Sequence, residues 1–109
     1  MIDDTVINTE SLILASRLFR SKPQMRRLLS YLIKHTYENN EEALQQRSIA
    51  MSCLGRNNSF DSVKDPIVRI EAARLRKLLE TYYEGVEAQQ TPLRVSLPKG
   101  SYRLVFSRN

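Results

Sequence analysis

The sequence predicts a mainly α-helical domain closed by a C-terminal β-hairpin. Three observations carry this. Apolar residues recur at helical spacing between Thr9 and Glu84. The period then changes to two between Leu93 and Phe106. Punctuation falls at the joints: Pro23, Gly55, Pro66 and Gly85 bound the periodic segments, as Pro in a first helical turn and Gly past a last one do. A chain of 109 residues fits one domain over 1–109, with room for a single core and none for a separate catalytic lobe.

Each element follows from its residues. Residues 1–8, with Asp3, Asp4, Thr5 and Asn8 among them, read as disordered. Leu12, Ile13, Ala15, Leu18 and Phe19 predict an extra N-terminal helix over 9–20, with Asn8 or Thr9 as its cap. Ser21-Lys22-Pro23 is a restart, with Ser21 as N-cap. Met25, Leu28, Leu29, Leu32 and Ile33 then predict an amphipathic helix to about Glu38, ended by Asn39-Asn40. A short helix runs from Gln45 to Leu54, and Gly55 stands where a left-handed cap is needed. Residues 56–64 form a loop by composition, with Phe60 and Val63 as candidates to pin it.

The long helix is the best-defined element. Asp65 is its N-cap, Pro66 its first position, and Gly85 closes it after Glu84. At 100° per residue one face holds Ile67, Val68, Ala72, Leu75, Leu78, Leu79 and Tyr82. The other holds Arg69, Ile70, Ala73, Arg76, Lys77 and Glu80. Glu71 falls in the apolar sector and needs an arginine partner, with Arg74 one turn on. Beyond it, Leu93, Val95 and Leu97 alternate with Arg94 and Ser96. Tyr102, Leu104 and Phe106 alternate with Arg103 and Val105. Pro98-Lys99-Gly100-Ser101 turns between them, giving a hairpin over 93–106. Two strands do not stand alone, so the hairpin packs on the helices.

Composition narrows function. Net charge is +5 and the pI about 9.7. The first sixteen residues hold Asp3, Asp4 and Glu10 and no cation, so the remainder carries seventeen basic against nine acidic residues. Twelve of the seventeen are Arg, whose planar fork suits phosphates and guanine edges. One cysteine, Cys53, excludes an internal disulfide and reads as a small core residue in a reducing compartment. A lone His35 leaves no zinc ligand set, so no metal and no cofactor are expected. Neither a signal peptide nor an apolar run near the ~20 residues of a membrane span is visible. Paired carboxylates, a Cys-His couple and a phosphate loop are all missing, so the chain reads as no enzyme, with no small-molecule substrate.

The element order is helix, helix, short helix, long basic helix, hairpin, the order of a winged helix-turn-helix domain. The stretch from Asp65 to Glu80 ends in Ala-Arg-Leu-Arg-Lys-Leu-Leu-Glu over residues 73–80, and the hairpin holds Pro-Lys-Gly-Ser-Tyr-Arg-Leu over 98–104. Together these resemble the recognition helix and wing of the bacterial OmpR/ToxR-type winged-helix regulators. Met25 to Tyr37 resembles that domain's first helix, and the resemblance covers residues 19–106. Residues 65–69 and 97–102 are also similar to a winged-helix segment found ahead of repeat or signalling domains in some bacterial proteins. This chain departs from the regulators in opening with a helix in place of a small sheet, in its nine-residue loop over 56–64, and in Ser101 where the family's wing has a second Gly. It reads as a stand-alone domain without a phospho-receiver.

The resemblance implies sequence-specific binding of double-stranded DNA by a cytoplasmic, nucleoid-associated transcription regulator. The long helix would enter the major groove, with Arg69 or Arg76 forking to guanine, Ile70 and Ala73 touching thymine methyls, and Lys77 on the same face. Arg47 and Ser48 of the short helix, with Lys99 and Arg103 of the wing, would contact phosphates. The alternative is a protein-interaction adaptor on the same fold. An adaptor would present an apolar or mixed outer face, whereas this one carries Arg69, Arg76 and Lys77 without a balancing acidic cluster. Tyr82 and Tyr102 read as core residues, and Tyr31 and Tyr37 have no assigned place. The stripe from Leu12 to Phe19 is either core or a dimer surface. A single domain reads a short site, so a homodimer or cooperative oligomer on DNA is expected.

Overall fold

A computed structural model describes residues 3–109. Five helices come first: α1 (Asp4–Ala15), α2 (Arg17–Arg20), α3 (Pro23–Tyr37), α4 (Gln46–Cys53) and α5 (Ile67–Glu84). A 3₁₀ turn (Val86–Gln90) leads to β1 (Leu93–Ser96) and β2 (Val105–Arg108). The strands pair antiparallel, with Val95 opposite Phe106 and Ser96 opposite Val105. The chain is therefore mainly helical with a C-terminal two-stranded hairpin, as the periodicity predicts.

The N-terminal helix corrects two expectations. It starts at Asp4, well before Thr9, because the Asp3 carboxylate accepts the Val6 N–H at 3.0 Å and caps it. The same carboxylate accepts the Tyr37 hydroxyl at 2.7 Å, which ties the cap to the end of α3. Residues 3–8 are thus ordered, and residues 1–2 of the expected disordered stretch lie outside the described residues. The expected helix over 9–20 is broken at Ser16, which is extended and buried, with its hydroxyl donating to Ile13 O at 2.6 Å. Ile13 and Phe19 are fully buried, and Leu14 and Leu18 pack against the same core. The Leu12–Phe19 stripe serves mostly the core.

α3 starts at Pro23 without a side-chain cap, so Ser21 does not fill that role. α5 is the central element: it packs against α3, α4 and β1 through Val68, Ala72, Leu75, Leu79 and Tyr82. Its first residue is Ile67, so Pro66 stands at the cap position and the expected cap, Asp65, lies one residue outside; from there its carboxylate accepts the Ile67 N–H at 3.1 Å and Arg56 Nε at 2.7 Å. Glu71 is buried and doubly held, by Arg74 Nη1 and Gln24 Nε2, each at 2.9 Å. That is the partner its position requires. In the 56–64 loop Phe60 packs against the core, whereas Val63 is 87% exposed and pins nothing.

The hairpin is offset from its expected bounds. β2 begins at Val105, so residues 97–104 form a long connection with Leu97 and Leu104 buried beneath it. The Leu104 N–H is taken by the Thr36 hydroxyl at 3.0 Å, which docks this connection on α3. The outer edge of β1 is closed by side chains. The Tyr83 hydroxyl donates to Leu93 O at 2.7 Å and accepts the Val95 N–H at 3.0 Å, and Thr9 Oγ1 accepts the Leu93 N–H at 3.3 Å. Burial pushes the Tyr83 phenol up to about 12.

Gly55 is left-handed at φ +70°, and the Arg56 N–H bonds back to Ala50 O at 3.1 Å to close α4. A Cβ at Gly55 would meet nothing within 4 Å, so the cost of Gly55→Ala is purely conformational. We expect a loss of about 1–2 kcal/mol, read as a lower urea midpoint at unchanged slope.

Asp65 and Asp3 contribute to acid sensitivity. The hydrogen bond from Arg56, then that from Ile67, holds the Asp65 carboxyl below its ordinary range, and the hydrogen bonds from Tyr37 and Val6 do the same for Asp3. A depressed folded-state value gives stability that is fully present above the unfolded value near pH 4 and is lost as pH falls through the folded one. The thermal midpoint should fall on acidification below about pH 4, and less steeply in Asp65→Asn.

Candidate nucleic-acid interface

α5 has two faces because its apolar residues recur at helical spacing. On the outer face Arg69, Ile70, Ala73 and Lys77 are exposed, and Arg76 is half-buried. Ile70 is 47% exposed, a large apolar side chain facing water on a basic surface. These five predicted residues therefore share one side of one helix.

The connection between the strands stands beside that face. A groove of about 210 Å³ separates them, lined by Arg69, Ala72, Arg76, Lys99, Gly100, Ser101 and Tyr102. Gly100 takes φ +78° and turns the chain at the tip next to Lys99. Arg69, Arg76 and Lys99, predicted from separate stretches of sequence, meet here. Burial raises the Tyr102 phenol above its ordinary value, while the positive charges of Arg69 and Arg76 pull it the other way. Tyr102 is thus a neutral hydrogen-bond donor at pH 7.

The arginines are held by backbone carbonyls. Arg76 Nε donates to Leu97 O at 2.7 Å and Nη2 reaches Pro98 O at 3.4 Å, binding α5 to the root of the connection. Arg69 Nη1 donates to Ser62 O at 2.9 Å, in the loop before α5. Arg76 is therefore a brace between two elements, a different role from the free fork that its helical position implies.

Arg47, Ser48 and Arg103 lie apart from the groove. Arg47 Nη2 donates to Asn58 O at 2.6 Å and Nη1 to Phe60 O at 3.2 Å, which organises the loop into α5. Ser48 Oγ donates to Glu42 O at 2.9 Å and borders a different hollow, beside Tyr31 and Asn40. Arg103 pairs with Glu41 and reaches Thr36 O at 3.4 Å, against the α3–α4 connection. Carbonyl and carboxylate partners outside their own helical turn claim these three side chains.

The part that Tyr102 plays in the groove is not legible in the sequence. Strand alternation put it inward with Leu104 and Phe106, and it does pack against the core, but it falls before β2 and is only half-buried, so it also lines the groove. Tyr82 is core, as expected, with its hydroxyl 2.5 Å from Thr91 Oγ1. Cys53 is buried, and its thiol is pushed up to about 11 by burial, against a smaller opposing effect of Arg27. It is a protonated core residue at neutral pH. Among the described residues no helix is long and apolar enough to cross a membrane, and no cluster of three metal-ligating side chains occurs. No family model, curated protein or solved structure matches this chain.

Proposed function

We propose that this chain is a winged helix-turn-helix domain that binds double-stranded DNA sequence-specifically, as a bacterial transcription regulator of the OmpR/ToxR type. α4 and α5 form the helix-turn-helix pair, with α5 in the major groove. The connection between β1 and β2 is the wing, with Lys99 at its tip on the backbone or in a minor groove. The observation that carries this reading is the meeting of Arg69, Arg76 and Lys99 at one groove between α5 and the hairpin. Ile70, Ala73 and Lys77 stand exposed on the same helix.

The exposed side chains divide the work by chemistry. Ile70 and Ala73 offer apolar contact to thymine methyls, and Lys77 a donor to guanine or phosphate. Lys99 is a point charge for phosphate, which positions without reading sequence. Two copies on adjacent half-sites would extend a short site.

Fluorescence anisotropy with labelled duplexes, one from the chain's own upstream region and one of random sequence, at two salt concentrations, tests the reading. Tighter binding to the upstream duplex is expected, falling steeply with salt because each neutralised phosphate contributes about 0.9 to the slope. Absence of binding to either duplex at low salt would make the basic face of α5 a protein-docking surface and favour the adaptor.

A further inference from the structure

The chain has five tyrosines, and four have a hydrogen-bonded hydroxyl. Tyr31 donates to Ala43 O at 2.8 Å, Tyr37 to Asp3 at 2.7 Å and Tyr83 to Leu93 O at 2.7 Å, while Tyr82 shares a bond with Thr91. Only the Tyr102 hydroxyl has no such partner among the described residues. It is also the one that lines the basic groove beside Arg69, Arg76 and Lys99.

The groove is built to hold still. Arg69 is anchored through Nη1 to Ser62 O, which leaves Nε and Nη2 as further donors. Arg76 fixes the opposite wall by its bonds to Leu97 O and Pro98 O. Cations from two elements therefore line one groove together with a neutral phenol. A tetrahedral oxyanion suits this set: it offers several acceptor oxygens and charge for the cations to neutralise.

We propose that this groove clamps a single phosphate of a phosphodiester, with the Tyr102 hydroxyl donating to a phosphate oxygen and Arg69 and Lys99 neutralising its charge. The clamp deepens the DNA-binding reading and rests on it for the source of the phosphate. It moves Arg69 from base reading to backbone contact, and it adds a contact that carries no sequence information. A neutral donor and a charged one leave different marks. Loss of the phenol weakens binding without changing the number of counterions released, whereas loss of Lys99 lowers the salt slope by about one.

The test uses the full chain carrying ¹³Cζ-tyrosine, observed by NMR, with random-sequence duplex in one arm and inorganic phosphate in the other. Anisotropy of Tyr102→Phe and Lys99→Gln against the same duplex runs alongside. The clamp predicts that the Tyr102 resonance moves with duplex while the other four hold still. It also predicts about tenfold weaker binding by Tyr102→Phe at unchanged salt slope. If duplex binds but the Tyr102 signal is still and Tyr102→Phe binds like the parent, the clamp is wrong and the DNA reading stands. If duplex does not bind but inorganic phosphate moves the Tyr102 signal, the clamp stands for a free phosphate ester and the DNA reading falls. Silence in both arms overturns both.

Discussion

Phe19→Ala is expected to lower stability by about 3–5 kcal/mol, the cost of emptying a fully buried aromatic site. Phe19 sits on α2, a helix of four residues, far too short to hold its shape alone. Its side chain is 0% exposed and belongs to the core shared by α1, α3 and α5. Removing the ring leaves one turn of helix with nothing to anchor it. The loss is a large share of the roughly 5–15 kcal/mol that a domain of this size has in total. The thermal midpoint should fall by on the order of 15–25 °C. Leu12 is the contrast: it is half-buried, and Leu12→Ala should cost about 1 kcal/mol or less. Because Phe19 serves the core of one chain, its midpoint shift should not depend on protein concentration. A concentration-dependent midpoint, recovered as protein is added, would instead assign the stripe to an interface between copies.

What could be read in the sequence is what local chemistry decides. Gly55 was legible because only a left-handed residue closes α4 there, and Asp65-Pro66 because capping acts over two or three residues. Glu71 and Arg74 were legible because they lie one turn apart on the same helix. The start of α1 had a local signal too, since Asp3 caps Val6 three positions on; what the sequence hides is that Tyr37, thirty-four positions away, holds that cap. The break at Ser16 was not legible, because serine at a helix-compatible position gives no signal until its hydroxyl turns back to Ile13 O. The register of the hairpin was set by Thr9, Thr36 and Tyr83, polar side chains that close open backbone edges from other elements. The candidate site divides the same way. Exposure of Arg69, Ile70, Ala73 and Lys77 follows from helical period alone. The engagement of Arg47, Arg76 and Arg103 by distant carbonyl and carboxylate groups follows only from the fold.

That difference changes what Arg76→Ala should do. A fork to guanine would make the loss specific, of about 1–3 kcal/mol on the cognate site and much less on random DNA. As a brace, Arg76 holds Leu97 O and Pro98 O and so sets where Lys99 and Tyr102 stand relative to α5. Its removal frees the root of the connection and takes the proposed phosphate contacts of the groove out of register. The expected result is a loss of tenfold or more, roughly 1.4 kcal/mol, that is equal on specific and random duplexes. Folding stability should drop by about 1–3 kcal/mol, because Pro98 O is exposed and water can solvate it, whereas Leu97 O belongs to a buried residue and loses its partner. Arg76→Lys separates bracing from charge. It keeps the cation, but its compact ammonium lacks the planar fork that spans two carbonyls. It should recover the salt slope and only part of the affinity. Should Arg76→Ala weaken the cognate duplex alone, the guanidinium must leave Leu97 O and Pro98 O on binding and read a base. The wing would then be released by the DNA itself, and faster amide exchange at residues 97–104 in the complex than in the free protein would show it.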